Sequence, residues 1–218
     1  MKPLLQVSNV SHHFTTRGCV LDNISFTLHR ADKLALMGAN GAGKTTLFHL
    51  LVGLQKCQSG QIAGMGRELT TEQDFVAIRK QVGLVFQDPD DQLFCPSVLE
   101  DIMFGPLNQG LSITKAKALA IEMLEKLQLA HLQERIASEL SGGEKRMITL
   151  ASVLVMQPKV LLLDEPTNAL DSEAKAQLLA FLQRLEQAMI VISHDMPFIE
   201  ALTNGKLLLE KGALTKVS

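Results

Sequence analysis

An α/β fold on a mainly parallel sheet is predicted by two observations. Short β-rich runs alternate with longer helical ones along the 218 residues, and residues 4–10, 24–28, 34–37, 82–86, 160–163 and 189–193 read as strands. Several of these, VLLL before Asp164 and MIVIS before His194, are continuously apolar, as strands buried on both faces of a parallel sheet are. There is no internal repeat, low-complexity tract or long linker, and the length suits a single domain.

The elements follow in order. Strand 34–37 runs straight into GANGAGKTT and then the helical LFHLLVG. From Gln87 to Leu140 no strand pattern occurs, so this stretch reads as a helical insert between two strands of the sheet. It is opened by the turn-rich DPDD run and broken at Gly105-Pro106 and again at residues 108–110. Within it, residues 114–127 have helical periodicity, with Ala116, Leu119, Met123 and Leu127 on one face. LSGGE at 140–144 opens an apolar helix over 146–156, and residues 172–187 form another helix. Pro197 suits the first turn of a short helix. LLLEKGALTKV then reads as a terminal hairpin turning at Lys211-Gly212.

Composition narrows the function. A hydrophobic fraction of 46% with 20% charged residues excludes a wholly disordered chain. The net charge of −2 gives no overall reason to bind nucleic acid, and with no Trp or Tyr, stacking falls to the nine Phe and six His. Cys19, Cys57 and Cys95 form no CxxC pair, which fits free thiols in a reducing compartment. The N-terminus is too interrupted by polar residues for a signal peptide, and the longest uncharged stretch, 147–158, falls short of the ~18–20 apolar residues a membrane helix needs. Work at a membrane would require a partner.

The chemistry is carried by a few positions. Gly38, Ala39, Asn40, Gly41, Ala42, Gly43, Lys44, Thr45 and Thr46 match G-x-x-x-x-G-K-[ST] in the strand–loop–helix context that pattern requires. Glycines let backbone N–H groups converge on phosphate oxygens, and the following helix adds its partial positive charge. Lys44 would neutralise phosphate charge and Thr45 would coordinate Mg²⁺. Asp164 and Glu165 end a buried strand, where α/β sheets bind ligands; Asp164 can hold Mg²⁺ through water while Glu165 faces an attacking water. Ser141, Gly142 and Gly143 at a helix start form a second possible phosphate site. One nucleotide cannot readily touch both loops if the helical insert carries this one away from the sheet. His12 and His13 are adjacent on a strand and face opposite ways, so they do not share a metal.

These motifs, in this order, resemble those of the ABC-type ATPases, the nucleotide-binding subunits of ATP-binding-cassette transporters. The resemblance covers nearly the whole chain. It implies a P-loop NTPase core with a mainly parallel sheet, an antiparallel β subdomain and a helical subdomain. Residues 1–87 and 158–218 would form the core and 88–157 the helical part of one domain, 1–218. It implies that Gln87 reaches Mg²⁺ or the attacking water, that Asp171 belongs to the D-loop, and that His194 senses the γ-phosphate. Phe14 takes the place of the commoner Tyr that stacks on adenine. Two subunits would sandwich two ATPs, Ser141, Gly142 and Gly143 of one contacting the γ-phosphate held by the other.

The run from Gln87 to Phe94 and the stretch EDIMFGPLN more specifically resemble the ATPases of energy-coupling-factor and cobalt/nickel importers. That implies a transmembrane subunit docking near Gln87 to Pro106 and a peripheral position on the cytoplasmic face of the membrane. The short tail after His194 leans towards metal uptake. The competing class is a non-transport ABC-type ATPase; a DNA-repair member would need a long coiled-coil insertion and a translation factor tandem cassettes, and the sequence has neither.

Overall fold

The structure is a computed structural model that describes residues 2–15 and 18–217. Two sheets organise it. The first is antiparallel, in the order β2-β1-β4-β5, from β1 (Leu5–Phe14), β2 (Gly18–Leu28), β4 (Ser59–Gly64) and β5 (Arg67–Glu68). The second has the order β10-β9-β3-β8-β7-β6, from β3 (Lys33–Met37), β6 (Val82–Val85), β7 (Val160–Asp164), β8 (Ala188–Ile192), β9 (Gly205–Glu210) and β10 (Ala213–Val217). All its pairings are parallel except β9 with β10.

The apolar runs at β7 and β8 have a direct cause. Val160, Leu162, Ile190 and Ile192 face the core shared with α1 (Lys44–Leu51) and the antiparallel sheet. Leu161, Leu163, Met189 and Val191 face the opposite core, shared with the helices. Both faces of each strand are covered, so alternation would leave polar groups in an apolar layer.

Between β6 and β7 come α3 (Val98–Asn108), α4 (Ile113–Lys126) and α5 (Gly142–Leu154), with only 3₁₀ turns besides. Gly105-Pro106 does not break α3, contrary to the sequence expectation. Pro106 lies in the last turn, so the helix forgoes a single bond, to the Ile102 carbonyl, and runs on only to Asn108, stopping where Gly110 turns to φ 90°. A Cβ at Gly105 would lie 2.5 Å from the Met156 sulfur, so that glycine serves packing. The buried stripe of α4 is Ala116, Ala120 and Leu124, extended by Leu127; Leu119 and Met123 sit at its margin. An i, i+4 run of small residues lets α4 settle more closely than the periodicity alone indicated.

Two further differences lie early in the chain. β4 and β5 gave no sequence signal, because SGQIAG buries only Ile62 and Gly64. Helix α2 (Glu72–Arg79) was legible in principle: Thr71 and Asp74 form a reciprocal capping box. Helix α6 (Ser172–Arg184) precedes β8 and α7 (Met196–Leu202) follows it, with Pro197 in the first turn of α7. Lys211 (φ 49°) and Gly212 (φ 84°) form the expected two-residue hairpin turn between Glu210 and Ala213. Among the described residues no helix is long and apolar enough to cross a membrane.

Candidate nucleotide-binding site

The loop leaving β3 is shaped by positions that admit only glycine. Gly38 has φ 148°, and a Cβ there would stand 2.4 Å from the Leu209 carbonyl oxygen. Gly43, the N-cap of α1 at φ 105°, would collide with Val20 at 2.5 Å. The loop therefore lies tight against β9 and β2, and the first N–H groups of α1 lack intrahelical partners. Lys44 turns back over the loop, its Nζ donating to the carbonyls of Gly38 (2.7 Å) and Ala39 (3.0 Å).

Two strands away, β7 delivers the acids. Thr45 Oγ1 donates to Asp164 Oδ2 at 2.7 Å, joining the first turn of α1 to the end of β7. Glu165 adopts φ 49°, a sparsely populated conformation for a residue with a Cβ, while its N–H continues the ladder to the Ile192 carbonyl at 2.8 Å. That turn brings Glu165 to the end of β8: Oε2 accepts from the His194 N–H at 3.3 Å, and Oε1 lies 3.3 Å from His194 Nε2. The same Nε2 is 2.9 Å from Asn40 Oδ1 in the glycine loop. Thr167 and Ser193 hydroxyls, 3.0 Å apart, tie the two post-strand loops together.

Burial sets the acid–base character. Asp164 and Glu165 are 2% and 6% exposed, and desolvation pushes both carboxyls above their ordinary values. The Thr45 hydrogen bond and Lys44 oppose this at Asp164, and His194 opposes it at Glu165. Burial also draws the Lys44 ammonium downward, resisted by Glu165 and Asp164.

These residues line one cleft of about 460 Å³. Of the residues singled out in the sequence, it brings together Phe14, Asn40, Gly41, Gly43, Lys44, Thr45, Thr46, Gln87, Asp164, Glu165 and His194. Gly38, Ala39 and Ala42 shape the loop without lining the cleft. Thr45, Asp164 and the Gln87 amide offer an all-oxygen donor set containing one carboxylate, which fits Mg²⁺, an ion that keeps waters and phosphate oxygens for its remaining positions.

Ser141, Gly142, Gly143 and Asp171 are not in this cleft. Ser141 caps α5 in a capping box with Glu144, and Asp171 caps α6 by accepting from the Ala174 N–H at 2.8 Å. A Cβ at Gly142 would approach Ala169 Cβ to 3.0 Å, and one at Gly143 would lie 3.5 Å from Leu170. The two segments thus adjoin each other without lining the cleft themselves. The sequence reading missed Val20, Asn168 and Ile192, which also line the cleft. Asn168 lay in plain view three residues after Glu165; Val20 had no local signal, since the fold alone brings β2 to the loop.

A glycine loop between a buried parallel strand and a helix, faced by an acid pair at the end of a nearby strand, defines a P-loop nucleotide-binding protein. Comparison with known proteins specifies which. Residues 21–168 match the family model for the ABC transporter. A Brucella suis biovar 1 protein, provisionally named an ABC transporter ATP-binding protein, is 50% identical over 214 residues, covering 98% of this chain and 89% of the relative. The energy-coupling factor transporter ATP-binding protein EcfA of Methanoculleus marisnigri is 39% identical over 213 residues, covering 96% of this chain and 76% of the relative. Among solved structures, cbiO1 of Clostridium perfringens, part of the ABC transporter complex cbiONQ, superposes with a TM-score of 0.85 at 31% identity, covering 99% of this chain and 88% of that one. The dimeric bacterial cassette MJ0796 shares the fold, with a TM-score of 0.88 at 21% identity over 98% of this chain and 99% of that one. The chain belongs to the ABC transporter family and is one of its ATPases.

Proposed function

We propose that this ATPase energises a membrane importer, for a transition-metal ion such as cobalt or nickel. The carrying observation is the cleft that gathers Lys44, Thr45, Gln87, Asp164, Glu165 and His194 while Ser141, Gly142 and Gly143 stay outside it. A second subunit then completes each site, its Ser141, Gly142 and Gly143 meeting the γ-phosphate, with Asp171 beside them in the subunit contact.

The roles follow from the geometry. Gly38 to Thr46 wrap the phosphates with backbone N–H groups, and Lys44 leaves its loop carbonyls to neutralise phosphate charge. Thr45, Asp164 and Gln87 would hold Mg²⁺, which supplies further neutralisation of the phosphate oxygens. Glu165, buried and above its ordinary pKa, polarises the attacking water; His194, between Asn40 and Glu165, donates to the γ-phosphate and registers its loss. Because the raised Glu165 carboxyl must be ionised to accept a proton, turnover is expected to fall with acidity at a pH above that of an ordinary carboxylate. A pH profile of kcat/KM, which reports the free enzyme, checks this; an acid limb at or below the range of an ordinary carboxylate would remove Glu165 from the proton transfer.

Phe14, half-buried at the mouth of the cleft beside Val20, supplies the adenine platform. Phe14→Ala should weaken ATP binding by roughly 10- to 100-fold, the worth of one base–aromatic stack, in calorimetric titration. Unchanged affinity would reassign Phe14 to the core.

The membrane partner docks near Gln87 to Pro106, where the structure has an apolar groove lined by Leu54, Phe94, Phe104 and Met156. Phe94 and Phe104 meet edge to face at 4.9 Å, yet stay 65% and 46% exposed. Such a groove suits the apolar face of a partner's helix and would place this chain peripherally on the cytoplasmic face of the membrane. Similarity to cbiO1, part of a cbiONQ transporter complex, and to EcfA, an energy-coupling factor transporter ATP-binding protein, supports the importer reading, with a vitamin-type energy-coupling-factor importer as the second reading. Co-purification with the membrane subunits and metal analysis of the complex separates them. Bound cobalt or nickel supports the first, and a vitamin without metal overturns it.

A further inference from the structure

Arg146 lies in the second turn of α5, 4% exposed, beside Met147, Ile148 and Leu150. A buried cation is costly unless its donors are satisfied, so an apolar residue would serve mere packing better. Among the described residues no carboxylate is within ion-pairing distance of it; Asp164, Asp88 and Glu165 act on it only through space. Its hydrogen bonds go to two consecutive backbone carbonyls: Nη1 donates to Phe86 at 2.7 Å and Nη2 to Gln87 at 2.5 Å.

Neighbouring residues fasten the same segment. Lys145 Nζ pairs with Asp90 at 2.6 Å. Gln92 accepts from the Phe86 N–H at 3.2 Å and donates to Ser152, further along α5, at 3.4 Å. Residues 86–92 are therefore held to α5 at three places. Ser141 caps the N-terminus of α5, and Gln87 lines the cleft together with Asp164 and Glu165. The docking groove borders the same segment through Phe86, Gln92 and Phe94.

We infer that Arg146 is a positioning residue for hydrolysis: its guanidinium fork fixes the Gln87 backbone to α5 and thereby sets where the Gln87 amide stands relative to Asp164 and Glu165. The inference rests on the hydrolytic reading of that cleft. A planar fork holds the two carbonyls from two nitrogens in one fixed geometry, which the shorter, freely rotating ammonium of a lysine does not reproduce at this site.

The test combines turnover with a readout that needs none. Arg146→Lys, Gln87→Ala and the double variant are assayed for steady-state ATPase activity, and amide exchange of residues 86–92 is followed in the nucleotide-free protein. The expectation for Arg146→Lys is a fall in kcat of roughly 10-fold with KM for ATP little changed, the signature of a misplaced group rather than lost binding. The double variant should be no slower than Gln87→Ala, because Arg146 acts through Gln87. Exchange at residues 86–92 should rise in Arg146→Lys. Losses that multiply in the double variant, a kcat equal to wild type, or unchanged exchange each overturn the inference. Should the wild type fail to hydrolyse ATP, the functional reading falls, and exchange alone then decides whether Arg146 fixes the segment. Arg146→Gln, neutral and of similar reach, takes the place of Arg146→Lys if that variant does not fold.

Discussion

Glu165→Gln is expected to lower ATP turnover by at least ~100-fold while nucleotide binding persists. The amide keeps the size of the carboxylate and its contact with the His194 N–H, so the cleft retains its shape. What is lost is the basic oxygen that the proposed mechanism sets against the attacking water. On the proposed cycle, in which ATP binding closes the dimer and hydrolysis reopens it, the variant should accumulate as a closed, ATP-loaded dimer in size-exclusion chromatography. Its melting temperature should rise. Desolvation raises the Glu165 pKa, so the folded state binds its proton more readily than the unfolded state and stability declines as pH rises through that range. At neutral pH the ionised carboxylate is therefore a burden that glutamine removes. Wild-type-like hydrolysis would exclude Glu165 as the base.

Mixing two inactive variants should restore activity. Ser141→Arg places a long cation on the surface beside Gly142 and Ala169, away from the cleft, so each subunit still binds nucleotide but cannot complete its partner's site. Lys44→Ala removes the ammonium that reaches the loop and the phosphates, while leaving the α5 N-terminus intact. Each homodimer has two defective sites. A dimer containing one of each variant has one intact site, made of the Lys44 of one subunit and the Ser141 of the other, and one doubly defective site. Partial turnover on mixing is expected, with none in either variant alone. An inactive mixture whose subunits demonstrably associate would refute the shared site; activity in Ser141→Arg alone would place the whole reaction within one chain.

The sequence was most informative where chemistry forces a local pattern. Residues 38–46 must combine glycines with Lys and Thr at fixed spacing, because backbone, ammonium and hydroxyl all converge on one phosphate chain. Asp164 and Glu165 announced themselves because two acids terminate a run of aliphatic residues. The hairpin at Lys211-Gly212 was legible because Gly212 readily takes the positive φ that a two-residue turn between strands requires. Elements that draw their stability from distant partners were not. β4 pairs antiparallel with β1 and buries little of its own, while Gly64 is required because Ile78 of α2 packs where a side chain would stand. The continuation of α3 through Pro106 was likewise decided by position near the helix end and by Met156, neither of which a breaker rule contains.

The sequence by itself determined the kind of fold, the identity of the phosphate loop, and the presence of an acid pair, a glutamine and a histidine at strand ends. Each is written in a short contiguous stretch whose residue types the chemistry dictates. Only the tertiary structure decided how these stretches meet. It placed Thr45 2.7 Å from Asp164 and His194 between Asn40 and Glu165. It left Ser141, Gly142 and Gly143 outside the cleft, and it fastened the backbone of Gln87 to a buried arginine 59 residues away. Those relations depend on strand order and on which helix packs against which strand, and they arise from burying two apolar layers on opposite faces of one sheet.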